Sequence, residues 1–209
     1  MSTFNQLLPN SSLRVYKTHT ASGQTNIVNS LSNILANSMI VTTSQNEDLN
    51  RTFSVASNPS LTWVSRVVAN AATAPGEIWT ANVPTAINSL IISGTWSAPW
   101  WGTQTSYAIT SVHSIGVGSN GTNATSSLSI ASTKQGSLLI GLWSDWNATA
   151  GGSRLQDPNA DLVFDRLLPG LTRGIHWYRP QTPLGRFNEG VSSPTSANRT
   201  TSVLEIRET

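Results

Sequence analysis

The stretch Gly136-Ser-Leu-Leu-Ile-Gly-Leu-Trp143 decides the fold. It is the longest nearly unbroken apolar run in the 209 residues, with Lys134-Gln135 before it and Ser144-Asp145 after it. Its length falls short of a core helix, which takes about ten residues or more, but suits a strand buried on both faces. It reads as the central strand of a sandwich, and the segments on either side must supply its partners.

Upstream, Met39-Ile-Val41 within Ser38 to Ser44 is a shorter run of the same kind. Leu13 to Thr20, Thr52 to Ala56 and Leu61 to Val67 alternate apolar with polar side chains, as half-buried strands do. Asn26 to Ile34, Glu77 to Ala81, Ser89 to Trp96 and Tyr107 to Gly118 also read as strands. Downstream, Asp161 to Leu168 reads as a strand in preference to two helical turns, and Leu171 to Arg179 and Thr200 to Arg207 complete the set. Gly23-Gln24, Asn58-Pro59-Ser60 and Asn120-Gly121 are turn signals. Ser97 to Thr105, Gly118 to Asn123, Asp145 to Asp161 and Pro180 to Asn198 read as loops, the last because it is rich in Pro, Gly and Ser. This spacing predicts an all-β chain, an antiparallel β-sandwich of jelly-roll type with about ten to twelve strands and little helix.

Residues 1–12 form an N-terminal arm in this reading, and 13–209 a single β-sandwich domain with an internal pseudo-repeat. Thr25-Asn26, Ser30-Leu-Ser32 and Ser38-Met-Ile-Val41 recur in order as Thr122-Asn123, Ser127-Leu-Ser129 and Ser137-Leu-Leu-Ile140. Ile78-Trp79 recurs as His176-Trp177, 98 residues later. Ser/Thr-rich strands resemble one another in any case; if the repeat is more than that, it implies two similar halves that pair into one sandwich or form two. The lack of a Pro/Gly-rich linker between them favours one.

Composition narrows the function. Charged residues make up 11% of the chain, against about 25% in typical domains, while there are 30 Ser, 25 Thr and 18 Asn. Hydroxyls and amides wet such a surface. The basic residues are scattered and the formal net charge is +2, which argues against a nucleic-acid partner, since that needs a clustered cationic stripe. The absence of cysteine rules out disulfides, thiolate catalysis and cysteine-ligated zinc. No basic-then-apolar leader opens the chain and no segment approaches a membrane span, so synthesis in the cytoplasm of whatever cell translates it and no membrane partner are expected.

Chemistry-bearing motifs are few. His19, His113 and His176 lie in strand patterns, where hydrogen-bonded structural histidines are the rule. A Gly-x-Ser-x-Gly elbow, a P-loop, a dinucleotide fingerprint and a His-Glu-x-x-His motif are all missing. Asp157-Pro-Asn-Ala-Asp161 imitates the first half of a calcium loop through Asp157, Asn159 and Asp161, but Leu162 stands where the loop glycine belongs and Leu168 replaces the closing glutamate. No catalytic residue, cofactor or metal is therefore assigned. Tryptophan is over-used: Trp63, Trp79, Trp96, Trp143 and Trp177 fall in strand patterns and are expected in the core, whereas Trp100, Trp101 and Trp146 fall in or beside loops. Neighbours in an extended chain point in opposite directions, so at most one of Trp100 and Trp101 can easily face the core. Loop tryptophans suit a protein interface or sugar stacking.

Ser60-Leu-Thr-Trp63, Glu77-Ile-Trp-Thr-Ala81, Ile91-Ile-Ser-Gly-Thr-Trp96, Gly136-Ser-Leu-Leu-Ile140 and Leu204-Glu-Ile-Arg207 together resemble the β-sandwich modules of tailed-bacteriophage virion proteins, namely decoration (cement) proteins and tail or fibre components. The resemblance spans roughly residues 30 to 207 through short motifs. It implies a non-enzymatic structural protein located in the virion, most simply a cement protein bound to the major capsid protein and stabilising the shell. The alternative is a tail-fibre or receptor-binding module that recognises surface glycans. A homo-oligomer, trimer or dimer, is expected because a low-charge surface with spare loop tryptophans is ill suited to a monomer. Phe4, Leu7 and Leu8 are the arm's apolar anchors and, with Trp100, Trp101 and Trp146, are the candidate interface or ligand-stacking residues.

Overall fold

The computed structural model describes residues 13–46, 52–69, 75–97, 101–122, 127–145, 154–155, 159–168, 173–193 and 199–208. Every regular element among them is a strand. The first eight are β1 (Arg14–Gln24), β2 (Asn26–Ile34), β3 (Ser38–Asn46), β4 (Phe53–Asn58), β5 (Trp63–Ala69), β6 (Gly76–Val83), β7 (Ile87–Trp96) and β8 (Trp101–Thr110). The second eight are β9 (Val112–Thr122), β10 (Ser127–Ser132), β11 (Ser137–Asp145), β12 (Arg154–Leu155), β13 (Asp161–Leu167), β14 (Arg173–Thr182), β15 (Gly185–Ser193) and β16 (Arg199–Glu208).

The two sets are wired alike. One five-stranded sheet has the order β1-β8-β3-β6-β5 and the other, counted from the same edge, β9-β16-β11-β14-β13. The three-stranded sheets run β2-β7-β4 and β10-β15-β12. Adding eight to each label of the first half reproduces the second, and all the pairings are antiparallel. Ser111, with φ 59°, is the single residue that passes the chain from β8 to β9 and so from one half to the other.

Burial arranges the four sheets as layers. Met39, Val41, Ile78, Tyr107 and Ile109 of the first five-stranded sheet pack against Leu138, Ile140, Leu142, Leu204 and Ile206 of the second, forming the central core. On its other face the first sheet packs Ile40, Val83 and Ala108 against Leu31, Ile34, Leu90 and Ile92 of β2 and β7. The second sheet likewise sets Leu139, Trp143, Ile175, Trp177 and Val203 against Ile130 of β10, with Phe187 of β15 alongside. β3 and β11 are thus covered on both sides, and every residue of each is buried. This is the physical reason for the unbroken run Leu138 to Trp143: neither face of the strand meets water.

The structure is an antiparallel β-sandwich in the broad sense, with sixteen strands among the described residues where about ten to twelve were expected. The jelly-roll type is not assigned, because β5 joins β6 in the five-stranded sheet and does not complete the three-stranded one. Three segments read as loops hold strand among their described residues. Pro180 lies inside β14 where the register with β11 shifts, a position at which its missing N–H costs no ladder bond, and β15 follows almost at once. Gly102 serves close packing and not a turn, since a Cβ there would sit 2.5 Å from the Gln45 carbonyl oxygen. Asn120-Gly121 lies in β9, and the Asn120 amide donates to the Val68 carbonyl at 3.0 Å, spending on a sheet-to-sheet contact the side chain that suggested a turn. Within Asp145 to Asp161, β12 interrupts the expected loop.

Candidate functional site

The strand registers gather the longer connections at one end of the stack. Gln24 lies opposite Trp101, Asn46 opposite Gly102, Ala69 opposite Gly76 and Phe53 opposite Trp96. In the second half Asp145 lies opposite Arg173 and Arg199, Thr122 opposite Thr200, and Arg154 opposite Ser193. A hydrogen bond from the Ser144 hydroxyl to Gln45 Oε1 joins the two sets of strand ends. The strands flanking residues 47–51, 70–74, 98–100, 123–126, 146–153, 169–172 and 194–198 therefore all end on the same side. At the opposite end the described turns are tight: residues 35–37, 59–62, 84–86, 111, 133–136 and 183–184.

The candidate residues fall unevenly on this plan. Trp101 is the first residue of β8, half-buried at the connection end beside the edge strand β1. Trp100 and Trp146 adjoin described residues of that same end, Trp101 and Asp145, but themselves lie outside the described residues, as do Phe4, Leu7, Leu8 and Asp157. Asn159 is exposed and Asp161 half-buried, opposite Tyr178 and far from the connection end. Among the described residues no group of three or more His, Cys, Asp or Glu is placed to hold a metal ion. Of the strand tryptophans, Trp96, Trp143 and Trp177 are fully buried, while Trp63 and Trp79 are half-buried against the core edges.

Beneath the connection end the central core turns polar. His176 on β14 is fully buried between the five-stranded sheets, with Nδ1 2.7 Å from Thr43 Oγ1 and Nε2 2.7 Å from Thr103 Oγ1. Gln45 Nε2 donates to Thr103 Oγ1 at 3.0 Å, and Thr43 Oγ1 donates to the Thr105 carbonyl at 3.3 Å. These bonds admit one continuous donor chain: Ser144 hydroxyl to Gln45, Gln45 to Thr103, Thr103 to His176 Nε2, His176 Nδ1–H to Thr43, and Thr43 to Thr105. It requires a neutral imidazole carrying its proton on Nδ1. Burial enforces that state, depressing the His176 pKa to about 3. A protonated ring would present two donors and leave the Thr103 hydroxyl proton without its acceptor.

Two carboxylates are clamped elsewhere. Burial pushes the Glu77 carboxyl up, while the Trp79 indole, 2.8 Å away, and the Phe53 amide N–H donate to it. Burial would also raise Glu205, but donors from Thr133, Val117 and Ser137 outweigh it and hold the carboxyl at about 2. Near the connection end Arg173 grips Asp165 with two bonds, of 2.6 and 2.9 Å. Reading the histidines as structural left Gln45, Thr43, Thr103 and Ser144 unremarked. The usable signal was the repeat, which sets His176 at the position of Ile78 and so marks a polar residue in a core slot. Comparison with protein-family models, with curated proteins and with solved structures finds no match to this chain.

Proposed function

We propose that this chain is a non-enzymatic structural protein of a phage virion, a decoration protein that docks on the capsid shell by its connection end. The virion setting comes from the sequence resemblance. The docking mode is supported by one observation: a four-layer stack directs its longer connections, with Trp101 and the neighbours of Trp100 and Trp146, to one end. Binding residues concentrate on connections held by a stiff scaffold, and tryptophans are frequent anchors of interface cores. In this reading the partner is the major capsid protein, and residues 1–12 add a second attachment through Phe4, Leu7 and Leu8.

Quantitative mass spectrometry of purified particles tests it. A decoration protein is present in a whole-number ratio to the major capsid protein, and capsids lacking it lose heat resistance. A second reading, a glycan-binding module of a tail fibre, is favoured by the same tryptophans as stacking platforms. It predicts a low copy number and specific signals on a glycan array, which the decoration reading expects to be blank.

A further inference from the structure

We infer that the inner faces of the two five-stranded sheets carry a pairing code, so that each half of the chain accepts the unlike half and rejects a copy of itself. The like wiring of the halves makes the central interface nearly isologous, related by an approximate two-fold axis along the strands between β3 and β11. The registers define which positions correspond. Thr43, opposite Ile78 and Thr105, corresponds to Leu142, opposite His176 and Ser202. Gln45, opposite Gly76 and Thr103, corresponds to Ser144, opposite Gly174 and Thr200.

Several corresponding pairs differ, and at three of them, near the connection end, the difference is complementary across the interface. Gln45 and Ser144, one long and one short, hydrogen-bond to each other at the axis. Gln45 also lies over Gly174, where a Cβ would approach its Nε2 to 2.4 Å. His176 meets Thr43, whereas its counterpart Ile78 shares the apolar core with Leu142, the counterpart of Thr43. Leu142 in turn fills the space over Gly76, where a Cβ would lie 2.6 Å from its Cδ1. Thr103 and Thr200 are the same residue type at corresponding places, so in this polar part of the interface the code is carried by 43/142, 45/144 and 78/176.

Pairing like with like spoils each contact. Two second halves would set His176 against leucine, leaving Nδ1 buried without a partner, and serine against serine, leaving a void. Two first halves would crowd glutamine against glutamine at the axis and set threonine over Gly76 in place of leucine. Copies of the chain can therefore use this face between molecules only by exchanging unlike halves.

The test exchanges the code within the full chain. Thr43→Leu, Gln45→Ser and Ile78→His give both halves the second face; Leu142→Thr, Ser144→Gln and His176→Ile give both the first. Each triple variant should lower the thermal midpoint by roughly 10 °C or more and shift part of the protein to aggregates on light scattering. All six substitutions together reverse the code and should bring the midpoint back to near that of the parent chain, as a single species of parental mass. A midpoint for the six-fold variant no higher than that of the weaker triple overturns the inference, as do triple variants that melt like the parent.

Discussion

His176 shows how a single residue couples packing to protonation. Its folded pKa of about 3 lies below the ordinary 6.5, so the unfolded chain takes up a proton first as pH falls. Stability contributed by the neutral ring is complete above about pH 6.5 and declines below it by about 1.4 kcal/mol per pH unit until the folded value is reached. Glu205, held at about 2 against an ordinary 4.5, acts in the same direction at lower pH: its contribution is present above 4.5 and lost below it. Glu77, raised by burial, works oppositely and offsets part of that acid loss. Chemical denaturation from pH 7 to 5 should show stability falling, and His176→Gln should flatten that slope. At pH 7 the substitution His176→Leu, which takes the acceptor from the buried Thr103 hydroxyl and a donor from Thr43, should cost about 1–3 kcal/mol, read as a lower midpoint in urea. An unchanged midpoint would mean that the hydroxyls find other partners.

At the scale of elements, strands with a wet and a dry face were legible, and so was the long strand that is dry on both. β2 alternates Ile27, Asn29, Leu31 inward with Val28, Ser30, Ser32 outward, and its bounds Asn26 to Ile34 follow directly from that alternation. β11 was legible for the opposite reason, being dry on both sides. β15 escaped notice because it lies in an outer three-stranded layer, where Phe187 packs only partly buried against the core cluster. Its neighbour Pro180, sitting at a register shift, made the whole segment look like a loop. Glycine was the other source of error, since Gly102 marks a close approach and not a turn. Trp177 lies across Gly141, where an added Cβ would fall 2.0 Å from its ring. Gly141→Ala should therefore force the indole aside and destabilise by about 1–3 kcal/mol, whereas an alanine at exposed Ser89 should be nearly neutral. Equal thermal midpoints for the two variants would refute this account of the glycine.

At the scale of the molecule, the repeated words of the sequence fall on corresponding strands. Ser38-Met-Ile-Val41 and Ser137-Leu-Leu-Ile140 open β3 and β11, and Ile78-Trp79 and His176-Trp177 lie in β6 and β14. The way the halves stack was not legible, because it depends on Gln45, Ser144, Thr43 and His176, polar residues that look like surface in a chain so rich in Ser and Thr. Nor was the gathering of connections at one end, which follows from registers between strands distant in sequence. Tryptophan at that end is the point on which the functional reading turns. Deleting residues 2–10 should leave the thermal midpoint within about 2 °C of the parent while lowering occupancy on particles, whereas a large drop in midpoint would make the arm part of the sandwich. The most direct measurement is hydroxyl-radical footprinting of the protein free and bound to its particle, read by mass spectrometry. The docking account predicts that oxidation of Trp100, Trp101 and Trp146 is suppressed on the particle while Leu184, exposed in a tight turn at the opposite end, is modified as before. Protection of Leu184 with the three tryptophans unchanged would contradict it.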